Sequence, residues 1–275
     1  MQTLMNFAYL PDLYGKLDAL AAMVLPEPWR YDVPERERFN QTTHILEKHL
    51  YMTFEELMRR REYAEDKNAY IYIGERDVVF NTGLLTPLYQ DVYAYCEPNR
   101  NPQFGRNWAL TGFYTEAAAQ LAGIQKLPKP LRFFPDTAYG FHPDWPLRLN
   151  LEHMLYSDEN LNRLPASIRT MPALAQTLDA CAEQSMKRAR YTPGIVVPQW
   201  YGGRLQYLLP LFITSNEYAD VALTLDAKDG FYTAHTALTL EMAYGNARLI
   251  AKPEAKWLLE TVLPHNTKEV SHYGE

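Results

Sequence analysis

Between residues 190 and 250 the chain carries polar side chains inside otherwise apolar, strand-like runs, at spacings that place them together. In RLQYLLPLFI (204–213), Arg204 and Gln206 alternate with Leu205 and Tyr207 and so share one face of a strand. The guanidinium of Arg204 is a rigid donor fork suited to phosphate or carboxylate. Gln206, like Gln199 just upstream, both donates and accepts and can read a base or ribose, while Trp200 or Tyr201 can stack on a ring. Gly202 and Gly203 allow close backbone approach. Further on, Glu241, Gly245 and Arg248 recur at helical steps with Asn246 beside them, a carboxylate, an amide and a guanidinium around a glycine.

Each of these features has a plainer explanation that stays open. An edge strand kept soluble by polar groups accounts for Arg204 and Gln206, and a close packing contact with an internal ion pair accounts for Glu241 and Arg248. Arg190 closes a basic run with Lys187 and Arg188, which a helix C-terminus favours without any ligand. His153, near Asp158, Glu159 and Arg163, can shuttle a proton or lie on a helix face among solvated charges. Asn81-Thr82-Gly83 leaves a strand with small polar groups and a glycine, a geometry that presents amides to an anion but also makes an ordinary turn. His44 and His49 are five residues apart and do not form a metal pair on one helix face. No metal ligand set, phosphate loop or nucleophile elbow is present in the sequence, and no cofactor is indicated.

These residues need a scaffold, and the chain supplies one. With 275 residues and 47% hydrophobic content it can bury a full core. The net charge of −6 argues against a general attraction to nucleic acid, so such binding needs a local basic groove. No apolar run reaches about 18 residues, and the first residues lack a charged start followed by an apolar stretch, so we expect no membrane segment and no secretion. Cys96 and Cys181, far apart in sequence, read as reduced buried thiols in a cytoplasmic protein.

Apolar periodicity predicts helices over 13–24, 39–61, 115–122, 171–189 and 240–251. The 39–61 helix gathers Leu46, Leu50, Phe54, Leu57 and Met58 on one face, with Arg59, Arg60 and Arg61 forming a solvated, positively charged end. A hairpin is expected over 70–80, strand-like pieces at DVYAYC, NWALTGFY and LRFF, and a meander over 204–213, 221–225 and 232–238. The fold class is α+β, a single domain of N-terminal helices packed on a largely antiparallel sheet. Its expected division is a helical part at 1–62, a sheet-rich core at 63–258 and a tail at 259–275.

FNTGL (80–84), VPQWYGGRLQYLLPLFI (197–213), ADVALTL (219–225) and TALTLEMAYGNARLI (236–250) resemble the motifs of an uncharacterised bacterial and fungal family, domain of unknown function 3825. The resemblance runs from the N-terminal helix to Trp257 and brings no activity or catalytic set with it. The expected function is therefore drawn from the residues. It is an RNA- or nucleotide-directed domain, whose enzymatic form would be a phosphate- or phosphodiester-handling enzyme, a nucleotide- or RNA-processing hydrolase. Arg190, Arg204 and Arg248 would neutralise phosphate, Gln199, Tyr201, Gln206 and Asn246 would contact base or ribose beside Asn81 and Thr82, and Glu241 or His153 would move a proton. The alternative is a non-catalytic interaction or sensor domain that binds a partner protein or small metabolite.

Overall fold

A computed structural model describes residues 2–31, 43–100, 105–133, 140–260 and 262–263. The chain is α+β, and its contacts divide it into two compact units, Met1–Leu131 with Val262–Glu275, and Arg132–Thr261. The expected sheet-rich stretch contributes strands to both units, and each unit has its own five-stranded sheet.

The first unit contains α1 (Leu4–Phe7), β1 (Ala8–Tyr9), α2 (Leu13–Met23), β2 (Arg30–Tyr31) and α3 (His44–Tyr63). It continues with β3 (Ile71–Ile73), β4 (Val78–Leu85), β5 (Asp91–Pro98), β6 (Trp108–Thr115), α4 (Glu116–Leu121) and, from the far end of the chain, β12 (Val262–Leu263). The strand order is β1-β6-β5-β4-β3, antiparallel except where β1 runs parallel to β6, while β12 pairs with β2. The apolar face of α3 is as its periodicity predicts: Leu46, Leu50, Phe54 and Leu57 are buried, and the Phe54 ring lies 5.0 Å from Phe7 and 5.5 Å from Phe80. Residues 39–42 of the expected helix lie outside the described residues, and the helix begins at His44. Its basic end is not simply solvated. Glu56 is buried and accepts from Arg59 Nε at 2.8 Å and from Arg60 Nε at 2.7 Å, because two guanidinium groups three and four residues on can close over one carboxylate.

The second unit contains β7 (Leu147–Leu149), α5 (Leu151–Tyr156), α6 (Asp158–Arg163), α7 (Ala166–Arg169), α8 (Leu174–Tyr191), β8 (Val197–Tyr201), β9 (Arg204–Leu211), β10 (Val221–Ala227), β11 (Tyr232–Leu238), α9 (Leu240–Arg248) and α10 (Lys256–Leu259). Its strand order, β7-β11-β10-β9-β8, is the expected meander extended at both edges. Strand β8 adds the outer arm of a hairpin with β9, and β7 joins β11 in parallel. One sheet face, with Tyr207, Leu209, Leu223, Leu225 and Tyr232, packs with Leu178, Cys181, Ala182 and Met186 of α8 in one apolar core. The other face packs on α9. LRFF forms no strand over 131–133, and 134 lies outside the described residues.

Candidate functional site

The polar residues of the second unit become neighbours through strand register. Pairing of β8 with β9 sets Gln199 opposite Gln206 and Tyr201 opposite Arg204, so all four project from the face that α9 partly covers. Gly202 and Gly203 link the strands, both with positive φ (58° and 80°), as a two-residue hairpin of type I′ requires. Pairing of β9 with β10 sets Tyr207 opposite Leu225, which brings the next residue, Asp226, level with Gln206. On α9, capped by the Thr239 hydroxyl accepting from the Met242 amide, Asn246 falls two turns in and points back to the sheet.

The result is one head-to-tail chain of side chains. Asn246 Nδ2 donates to Gln199 Oε1 at 3.0 Å, Gln199 Nε2 to Gln206 Oε1 at 2.9 Å, and Gln206 Nε2 to Asp226 Oδ1 at 3.0 Å. Asp226 then meets Arg204, with Nε at 3.3 Å from Oδ1 and Nη2 at 3.4 Å from Oδ2. Gln199, Gln206 and Asn246 are buried, whereas Arg204 and Tyr201 are each 60% exposed. A primary amide buried without partners costs free energy, and here the Gln199 and Gln206 carbonyls each accept while all three NH₂ groups donate, which fixes the orientation of the two glutamines. The contacts to Arg204 are long and use only part of its five-donor fork, so the remaining N–H groups face solvent beside the Tyr201 ring. The chain can therefore hold a guanidinium and an aromatic ring ready for an anionic, planar ligand.

A family profile described as Domain of unknown function (DUF3825) matches residues 20–257. The chain belongs to that family. No curated protein and no solved structure matches it significantly. The matched span includes every member of the amide chain, so the arrangement lies within the family's own extent.

Asp226 is the member that sequence reasoning missed. Its signal was present in the alternation of VALTLDA, which puts Thr224 and Asp226 on one face, but the link to Gln206 needs the strand register. Strand β8, which carries Gln199, was also not foreseen as a strand.

The other expected residues lie elsewhere. Arg190, on α8 at the opposite sheet face, donates to the Pro143 carbonyl at 3.3 Å and lies 3.7 Å from Asp144. Glu241 is half-buried in the first turn of α9, where the helix dipole favours a carboxylate. Arg248 is buried in its last turn; both are engaged by neighbouring groups. His153 is exposed on α5, its ring 6.5 Å from that of His235. Asn150 caps α5 by accepting from the His153 amide at 3.0 Å, which turns its NH₂ toward His235 Nδ1 at 3.3 Å and makes that nitrogen an acceptor. Among the described residues no cluster of three or more His, Cys, Asp or Glu could hold a metal ion.

Asn81 and Thr82 belong to the first unit, inside a bulge of β4 where the pairing with β5 shifts between Asn81 and Leu85. The amides that could face an anion are taken: Gly83 donates to Asn81 Oδ1 at 2.8 Å and Leu84 to Thr82 Oγ1 at 3.3 Å. Thr82 Oγ1 donates in turn to the Val92 carbonyl at 2.7 Å, and His49 Nε2 donates to the Thr82 carbonyl at 2.8 Å, tying α3 to the bulge. Asn81 Nδ2 is buried and makes no hydrogen bond of normal geometry among the described residues. It bears on the facing Tyr93 hydroxyl, which burial foremost, with Asp91 and Glu116, pushes up to about 12 despite that amide.

Proposed function

We propose that the Arg132–Thr261 unit binds a nucleotide, or a phosphate and base of single-stranded RNA, at the β8–β9 turn. The observation that carries this reading is the hydrogen-bonded chain that begins at Asn246 and surfaces at the Arg204–Tyr201 pair. In it Arg204 meets phosphate, Tyr201 stacks on the base, and the buried amides with Asp226 keep the guanidinium oriented so that little ordering is left to binding. Phosphodiester hydrolysis through Glu241 or His153 is a further step that would need those groups brought to the ligand. We place the activity in the cytoplasm, in keeping with two buried, unpaired thiols, Cys96 and Cys181.

The test is fluorescence anisotropy with a labelled oligouridine, with ATP as competitor. Tyr201→Ala should weaken binding by about 1–3 kcal/mol, the worth of one stacked base. Arg204→Ala should weaken it and flatten its dependence on salt. A wild-type protein that binds neither probe, or an Arg204→Ala variant that binds both unchanged, would overturn the reading.

A further inference from the structure

Strand β7 is the outer strand of the second sheet, and its pairing with β11 uses one side of its backbone. The Tyr232 amide donates to the Pro146 carbonyl at 2.9 Å and the Asn150 amide to the Ala234 carbonyl at 2.8 Å. With Tyr232 beside Leu147 and Ala234 beside Leu149, this parallel pattern turns the N–H and C=O groups of Leu147 and Leu149 away from β11. Among the described residues no strand pairs with that side. Natural edges are commonly guarded by a charged side chain, yet the Arg148 guanidinium lies 4.0 Å over the Phe231 ring, on the side of β11.

A cleft of about 440 Å³ opens beside this edge, between Trp145, Leu147 and Leu149 and one stripe of α8. Ala182 and Met186 give the stripe an apolar middle, Asp179 and Glu183 make one end acidic, and Lys187 and Arg190 make the other basic. Asp179, Glu183 and Lys187 have no ion-pair partner among the described residues. Hydrogen-bonding groups presented in a row suit an extended chain, and the charge order selects which one.

We propose that this edge takes an extended peptide of a partner protein as an added strand, with a basic, an apolar and an acidic side chain at alternate positions facing α8. Seven to eight helical residues separate the acidic and basic ends of the stripe, roughly 11 Å at the helical rise. Same-face positions four apart on a strand span about 13 Å, which matches. The central apolar side chain packs on Ala182, Met186 and Trp145, and main-chain bonds to Leu147 and Leu149 supply the strand addition.

The probe is a blocked peptide, Thr-Lys-Thr-Leu-Thr-Glu-Thr, added to the full chain and followed by amide NMR. Binding should shift the Leu147 and Leu149 amide signals and slow their exchange. Leu149→Pro removes one outward donor while sparing the Asn150 amide that pairs with β11, and should weaken binding about three- to tenfold, one net hydrogen bond. Because Leu149→Pro also alters the strand itself, a pair on the α8 stripe, Asp179→Lys with Glu183→Lys, provides an independent check. It should reject this peptide and accept the version with Glu in place of Lys. Peptide binding should be indifferent to Arg204→Ala, which separates this proposal from the nucleotide site. Absence of binding, or binding insensitive to both sets of changes, overturns the proposal. So does slow exchange of the two amides without peptide in a concentration-dependent dimer, since a second copy would then cover the edge.

Discussion

Gln206 sits in the middle of the amide chain, and its neighbours depend on it in unequal degree. Replacement by leucine leaves Gln199 Nε2 buried without its acceptor, whereas Asp226, partly open to water, can find another donor. One orphaned buried group costs about 1–3 kcal/mol, so Gln206→Leu should lower the free energy of unfolding by that amount in a urea titration. A variant as stable as wild type would mean the amides do not depend on one another. Alkaline pH should act on the first unit through a different pair of side chains. Burial pushes the Cys96 thiol from 9.0 up to about 12, and the Tyr93 hydroxyl rises from 10.0 to about 12. Both are raised in the folded state, so their stabilising effect is complete below about pH 9 and is lost as pH climbs toward 12. Urea midpoints should therefore fall across that window, and Cys96 should resist a thiol reagent at pH 8 until the protein is unfolded. Ready reaction of Cys96 in the native protein would contradict this.

At the scale of elements, what the sequence revealed follows from how local each signal is. The α3 face and the Thr115 cap of α4, which accepts from the Ala118 amide at 3.2 Å, depend on residues a few positions apart and were legible. So was the shared face of Arg204 and Gln206. Strand β8 was not, because Pro198 interrupts a five-residue run whose identity rests on pairing with β9. The role of Asn81-Thr82-Gly83 was half legible: small polar groups and a glycine leaving a strand were legible, but a bulge inside a strand requires the register of the neighbour. Gly83 has φ 71°, and a Cβ there would meet nothing nearer than His49 Nε2 at 3.8 Å. Gly83→Ala should thus cost only the left-handed backbone strain, about 1–2 kcal/mol by thermal or urea unfolding. A larger loss would show that the bulge, and with it the His49 link between α3 and β4, had rearranged.

At the scale of the whole molecule, the two units differ in how the chain builds them. The first draws on both ends of the sequence, since Val262 and Leu263 pair with Tyr31 and Arg30. Residues 1–131 alone would lose that pairing. The second is one uninterrupted segment of the chain with its own five-stranded sheet and a continuous core in which Met154, Ile168, Leu178, Leu209, Leu223 and Tyr232 are buried. A segment of about this size that brings its own core is long enough to fold by itself. The excised 132–261 segment should therefore unfold in a single cooperative urea transition and keep the near-UV signal of its packed aromatic cluster of Phe141, Tyr207 and Tyr232. It should also retain oligouridine binding, because Tyr201, Arg204, Asp226 and every amide of the chain lie within it. A broad, non-cooperative transition would show that its core needs the remainder of the chain. A folded segment that has lost binding would instead locate part of the ligand site in the other unit, and the two outcomes are separable by the near-UV signal alone.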